Sequence, residues 1–189
     1  MNRADRFDPF NSRLCRNVRN ALSEGFRKAL AQRRILPVQR VAETLSEDRL
    51  PAYVIAYLNH RMALYRQTLA DLCARQLNQP LAVALAIWDR GLFFEMHEYL
   101  EPYWMAATGD EKKFLQALIR AAGVYVHLGR GNLSAARRLA GKAVAVLDSC
   151  PDRLAPFTSP QILSSALRSL DPSPPRLTGP PRPVQPIDR

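Results

Sequence analysis

The residues best suited to chemistry lie in one stretch of the sequence, Gly91-Leu-Phe-Phe-Glu-Met-His-Glu-Tyr-Leu-Glu-Pro-Tyr-Trp104. On a helix with about 100° per residue, His97 and Glu101 lie about 40° apart, and Phe94 and Trp104 flank them. A histidine beside a carboxylate can bind a ligand or transfer a proton, because its charge changes near neutral pH. The pattern therefore predicts a polar site between aromatic side chains on one helix face.

Polar partners for this site are expected on the next long helix, where the stretch 114–127 is apolar apart from one stripe. That stripe consists of Lys112, Lys113, Gln116, Arg120 and His127. If the two helices pack antiparallel through their polar edges, the stripe meets His97 and Glu101. The predicted pocket comprises His97, Glu98, Glu101, Gln116, Arg120 and His127. On the helical wheel, however, Glu95, Glu98 and Pro102 are expected to face solvent.

Three interpretations of this pocket are compatible with the sequence. In the first, His97, Glu101 and His127 form a two-histidine, one-carboxylate set that binds a divalent metal such as iron or zinc. In the second, Glu101 tunes His97 for ligand binding or acid–base chemistry, and Arg120 holds an anion. In the third, which the frequency of satisfied polar networks favours, Glu101 pairs with Arg120 and nothing binds. A further alternative is that the stripe on the second helix simply faces water.

The elements that must position these residues are helices. Apolar residues recur every three or four positions from residue 12 to residue 148, and no strand-like alternation persists. Helices are predicted to begin near residues 12, 37 and 51, and then to span roughly 80–89, 92–106, 111–129 and 133–148. Short loops predict an antiparallel bundle of helical hairpins. Arg-Gly pairs at 90–91 and 130–131 open two helices forty residues apart, so the hairpins locally resemble tetratricopeptide repeats without forming a true array.

The composition divides the chain into four segments. They are a basic N-terminal helical segment at 1–79, a central helical module at 80–150, a short helical extension at 151–170 and a proline-rich tail at 171–189. The tail holds 7 prolines in 19 residues. Because proline cannot donate to a backbone ladder, this tail is predicted to be disordered or polyproline-like.

The formal net charge of +10 is concentrated at the front of the chain, with 14 basic and 7 acidic residues in 1–79 against 8 and 7 in 80–150. A basic patch of this kind can bind a polyanion such as nucleic acid. The residues that would make the contacts are Arg13, Arg16, Arg19, Arg27, Lys28, Arg33 and Arg34. The alternative, which the charge patterning favours, is a solvated face of an amphipathic helix.

Other features exclude several classes of protein. The three distant cysteines, Cys15, Cys73 and Cys150, indicate neither a disulfide framework nor a zinc knuckle, and they suit a reducing cytoplasm. No apolar run approaches the roughly 20 residues that a membrane helix needs, so no membrane partner is expected. The turn Gly129-Arg-Gly-Asn132 is predicted to end one helix and cap the next, because it lacks the strand and lysine of a phosphate loop.

Three motifs resemble those of a known family. They are G-x-[FY]-[FY]-E-x-H-E-x-L-E-x-x-W at 91–104, F-L-Q at 114–116 and G-N-x-x-x-A-R at 131–137. In order and spacing they are similar to the domain of unknown function 309 family, over roughly residues 84–148. The resemblance implies a compact helical bundle and brings no established activity with it. Glycine commonly stands in that family at the positions of Ala117 and Ala135, which suggests slightly wider helix separation here.

Taken together, these features favour a cytoplasmic binding or interaction protein with a polar pocket around His97, Glu101 and His127. Its candidate partners include another protein or a second copy of the chain, and its candidate cofactor is a divalent metal. The enzymatic alternative is a metal-dependent or acid–base hydrolase, with Glu98 or Glu101 as the base and Arg120 holding an anion. The third alternative is a nucleic-acid-associated protein that uses the basic N-terminal helices.

Overall fold

A computed structural model describes residues 6–47 and 49–179 and confirms the all-α class. The α-helices of this part of the chain are α1 (Arg13–Gln32), α2 (Leu36–Ser46), α3 (Ala52–Ala74), α4 (Pro80–Trp88), α5 (Phe93–Ala106), α6 (Gly109–Leu128), α7 (Leu133–Leu147) and α8 (Pro160–Ser169). A short 3₁₀ helix, Pro151–Arg153, precedes α8. The seven helix starts predicted between residues 12 and 133 each lie within two residues of the observed start. None of the described helices is long and apolar enough to cross a bilayer.

The chain divides into two compact units, Met1–Asn78 and Gln79–Arg189. The division lies one residue before the boundary that the sequence places between 79 and 80. In the first unit, α1 packs on α2 and α3. Phe26 of α1 stacks on Tyr65 of α3, with ring centroids 4.1 Å apart. Gly25 allows α2 to approach closely, because a Cβ at that position would lie 3.1 Å from the Cα of Val38.

The core of the second unit is built around α4, whose residues 82–88 are all buried. A helix that is apolar on every side must be covered on every side, as α4 is. At its end, Trp88 packs edge-on against Phe93 and Tyr125, with centroids 5.0 and 5.1 Å away. Burial, with a smaller effect of the Asp171 carboxylate, raises the pKa of Tyr125 to about 12, so its phenol stays neutral at physiological pH.

Two equivalent turns connect α4 to α5 and α6 to α7. Gly91 and Gly131 have φ angles of +68° and +72°, which glycine adopts without steric cost. Their amides donate three residues back, to Trp88 O at 2.8 Å and to Leu128 O at 2.9 Å. The forty-residue echo in the sequence therefore corresponds to two helix connections with the same backbone geometry. The likeness to tetratricopeptide repeats stays a prediction.

Residues 171–179, which we call the strap, do not show the disorder that is one of the two expectations for the tail; the polyproline-like alternative stays a prediction. The indole N–H of Trp88 donates to Pro175 O at 2.8 Å, and Leu177 is fully buried. Composition predicted disorder because proline removes backbone donors. The remaining amides of the strap, however, find an acceptor in the Asp89 carboxylate, and Leu177 supplies an apolar anchor. The rest of the predicted tail, 180–189, lies outside the described residues.

Candidate functional site

The candidate site lies on α5, which starts directly after the Gly91 turn and buries Met96 and Leu100 completely. His97 and Glu101 are half-buried, on a face that continues the buried one. The expected solvent exposure of Glu95 is wrong, because its side chain is buried. The helical-wheel prediction assumed that α5 packs through one face only. In the structure, the side of the first turn that carries Glu95 is also buried. The positive end of the helix dipole favours a carboxylate there.

Three potential ligand atoms converge on the exposed side of this face. One atom each from His97, Glu98 and Glu101 lies within 4.8 Å of the other two, and all three residues are half-buried. We call these residues the α5 cluster. Within the described chain, no other group of three histidine, cysteine or acidic side chains comes this close together. Glu98, which the wheel assigned to solvent, is thus a member, whereas His127 is not.

His127 lies at the end of α6, next to the turn into α7. Burial lowers the pKa of this imidazole, and the positive charges of Arg130 and Arg138 lower it further. The same two positive charges would repel a divalent cation, so this imidazole is a poor place for a metal ion. The structure therefore places the two histidines of the predicted metal set in different electrostatic surroundings.

The α6 side of the predicted pocket is set by the antiparallel packing of α5 on α6. The ammonium of Lys112 lies 5.6 Å from the centroid of the Trp104 ring, which brings the end of α5 beside the first turn of α6. At a rise of 1.5 Å per residue, His97 lies about 10.5 Å from Trp104 toward the start of α5, and Arg120 lies about 12 Å from Lys112 toward the end of α6. Because the helices are antiparallel, these two directions are the same. His97 and Arg120 therefore lie at similar heights. Gln116 and Arg120 are half-buried.

The third interpretation required an ion pair between Glu101 and Arg120. Across residues 6–47 and 49–179, no ion pair joins these two side chains. In the same part of the chain, the indole N–H of Trp104 is buried and finds no hydrogen-bond acceptor. Trp104 follows Glu101 by about one helical turn, so this buried N–H donor lies on the face of α5 that carries the cluster.

An apolar groove of about 490 Å³ lies beside this face, between α4, α5 and α6. Leu81, Leu100, Tyr103 and Leu115 are among its lining residues, and the Glu111 side chain also borders it. Tyr103 is 40% exposed there. On α5 the groove and the cluster occupy neighbouring faces, with Trp104 between them on the helical wheel.

The basic residues considered for nucleic acid lie on α1 and in the turn after it. Arg16 donates to Pro9 O and Phe10 O at 3.1 and 3.2 Å. Lys28 pairs with Glu24 at 2.8 Å, and Arg33 donates to the Asn78 side chain. Arg13, Arg27 and Arg34 are exposed, and Arg19 is half-buried. Several of these cations therefore have local partners, as a solvated helix face would, and the nucleic-acid role stays a prediction.

Comparison with protein families confirms the resemblance over the central part of the chain. Residues 81–139 match the Domain of unknown function (DUF309) family. The DUF309 segment runs from α4 into α7 and contains the α5 cluster and both glycine turns. It does not include the first unit, α8 or the strap. Comparisons with curated proteins and with solved structures gave no match.

Sequence reasoning missed one polar site in the DUF309 segment, at Trp88 and Asp89. The Asp89 side chain is 6% exposed and accepts hydrogen bonds from strap residues almost ninety positions away. One signal was present in the sequence. An aspartate directly after a helix opposes the helix dipole, which favours cations at that end. Such a residue needs donors from elsewhere in the fold.

Proposed function

We propose that the DUF309 segment is a binding module that holds a divalent metal ion at His97, Glu98 and Glu101. The observation that carries this proposal is the convergence of three ligand atoms within 4.8 Å. One imidazole and two carboxylates form a donor set suited to zinc, iron or manganese. The two carboxylates also carry the charge that a divalent cation neutralises.

The present spacing requires only a small adjustment. Metal–ligand bonds of about 2.0–2.2 Å place neighbouring ligands of a tetrahedral site about 3.3–3.6 Å apart. Side chains now separated by up to 4.8 Å must therefore draw inward by roughly 1 Å, which rotation about side-chain bonds can supply because all three residues are half-buried. Three ligands from a single helix leave the remaining coordination positions open to water or to a ligand.

The surroundings favour an anionic group at those open positions. By helix rise, Arg120 lies at a height on α6 similar to that of His97 on α5, and within the described residues it forms no ion pair with Glu101. Once a metal has neutralised the carboxylates, this guanidinium attracts a carboxylate or phosphate of the bound partner. The buried N–H of Trp104 offers a second donor on the same face. The proposed function is therefore metal-dependent capture of a small anionic group.

The test is a calorimetric titration of the untagged, full-length chain with zinc and, separately, with manganese. We expect saturable binding of one ion per chain, at least tenfold weaker in His97→Ala and in Glu101→Gln. The matched controls are His60→Ala and Glu47→Gln, which remove an exposed histidine and an exposed carboxylate outside the cluster. Absence of saturable binding, or equal affinity in His97→Ala and His60→Ala, contradicts the proposal.

A second pair of variants decides which residue is the third ligand. The cluster predicts that Glu98→Gln weakens metal binding and that His127→Ala leaves it unchanged. The opposite result, a loss in His127→Ala alone, would restore the two-histidine set predicted from the sequence. Circular dichroism of each variant confirms that the helices are retained.

A further inference from the structure

The strap is held by a clamp formed by Trp88 and Asp89 at the end of α4. The Asp89 carboxylate accepts the backbone N–H groups of Leu177 and Thr178 at 2.7 and 2.9 Å, and the Thr178 hydroxyl donates to it as well. The Trp88 indole donates to Pro175 O at 2.8 Å. The clamp therefore binds this segment mainly through its main chain.

Both sides of this contact are desolvated. Leu177 is fully buried, Thr178 is 5% exposed and the Asp89 side chain is 6% exposed. The nearest cation is the guanidinium of Arg176, whose Nε lies 4.0 Å from the carboxylate and whose side chain is 80% exposed. A buried carboxylate at the unfavourable end of a helix is stable only when donors surround it, and here backbone amides provide them. The clamp is thus built for an occupant.

The clamp and its occupant belong to different parts of the chain. Trp88 and Asp89 lie inside the matched segment 81–139, whereas the strap begins more than thirty residues after it. Residues 171–174 connect α8 to the clamped residues; all four are exposed and two are proline. Leu170, which ends α8, has a φ of +52°, a left-handed conformation that disfavours a leucine. This conformation belongs to the end of α8, where the Leu170 N–H donates to Leu167 O and the Asp171 N–H donates to Ala166 O.

We propose that the Trp88–Asp89 clamp is a docking site for a Pro-x-Leu-Thr segment, and that its occupant from outside the chain is the strap of a second copy. Two main-chain amides, the Leu177 side chain and the Thr178 hydroxyl make the recognition, and a second copy presents the same groups in the same order. The exposed connection at residues 171–174 is where the chain would redirect the strap to the clamp of a second copy. Exchange of identical elements between copies is a low-cost route to association.

The test mixes two full-length variants that are disabled in complementary ways. Leu177→Asp keeps the clamp and prevents its own strap from docking, whereas Asp89→Ala keeps the strap and disables the clamp. We expect each variant alone to sediment as one chain of 21.3 kDa and the equimolar mixture to form a complex of two chains. The double variant Leu177→Asp/Asp89→Ala, mixed with the Asp89→Ala chain, is the matched control and should stay monomeric.

Two results overturn the proposal. The first is that the mixture contains only monomers at high micromolar concentration although circular dichroism shows that both variants are folded. In that case the clamp binds only the strap of its own chain. The other is equal dimerisation of each variant alone, which means that the chains associate through a different surface. If Leu177→Asp does not fold, Thr178→Pro replaces it, because this change removes one amide and the hydroxyl and retains Leu177.

Discussion

Removal of the Asp89 carboxylate tests whether the strap contributes to the stability of the second unit. In Asp89→Ala, the amides of Leu177 and Thr178 lose their acceptor, as does the Thr178 hydroxyl. Each orphaned buried donor costs about 1–3 kcal/mol. The strap can escape this cost by leaving the clamp, since its amides then bond to water. The loss of stability is therefore limited by the docking free energy of the strap.

The magnitude of that limit follows from what the strap buries. Burial of Leu177 contributes about 1.5–3 kcal/mol, and hydrogen bonds to a charged acceptor contribute about 1.5–3 kcal/mol each before the ordering of the strap residues is subtracted. We expect Asp89→Ala to lower the free energy of unfolding by about 2–4 kcal/mol and Leu177→Ala to lower it by a similar amount. Because either change alone largely releases the strap, the double variant should lose little more than the worse single one. The coupling between the two sites should then be about 1.5–3 kcal/mol.

The assay is urea unfolding followed by tryptophan fluorescence. Both tryptophans of the chain, Trp88 and Trp104, belong to the second unit, so the signal reports on that unit alone. Asp152→Ala, which removes an exposed carboxylate, is the control for Asp89→Ala. If the two losses are additive within about 0.5 kcal/mol, the residues act independently and the reasoning is refuted. It is equally refuted if Asp89→Ala matches Asp152→Ala.

Two further predictions follow from the fold. Burial and two nearby arginines lower the pKa of His127 below 6.5, so the unfolded chain binds the proton more readily than the folded one. The contribution of His127 to stability is full above pH 6.5 and is lost as the pH falls through the lowered pKa. His127→Gln should therefore flatten the acid side of the unfolding profile, and His60→Gln should not. At the helix connections, Gly91→Ala and Gly131→Ala should each destabilise by about 1–2 kcal/mol because of their positive φ. Gly141→Ala, in α7 with no atom within 4 Å of the added Cβ, should stabilise by about 0.5–1 kcal/mol in the same denaturation assay. Equal effects at the three glycines would contradict the second prediction.

The helices were predictable because local patterns decide them. The apolar stripe that includes Val18 and Leu22 marks α1, and the proline at position 80 marks the start of α4. The pairing of His97 with Glu101 was predictable for the same reason, since one helical turn separates them. The helical wheel placed Glu98 toward solvent and so did not predict that it belongs to the α5 cluster. A wheel shows the direction of each residue from the helix axis, and it does not show how far a long side chain reaches around the helix.

The sequence by itself determined which segments are helical and that one face of α5 carries ionisable side chains, because these properties depend on neighbours along the chain. Only the tertiary structure decided which distant groups meet. It left His127 outside the α5 cluster, at the end of α6. It also brought Leu177 to Asp89 across almost ninety residues and ordered a segment whose composition predicts disorder. The physical reason is that a buried carboxylate and a buried leucine stabilise a segment only once the fold has brought them together, and no local pattern of residues encodes that encounter.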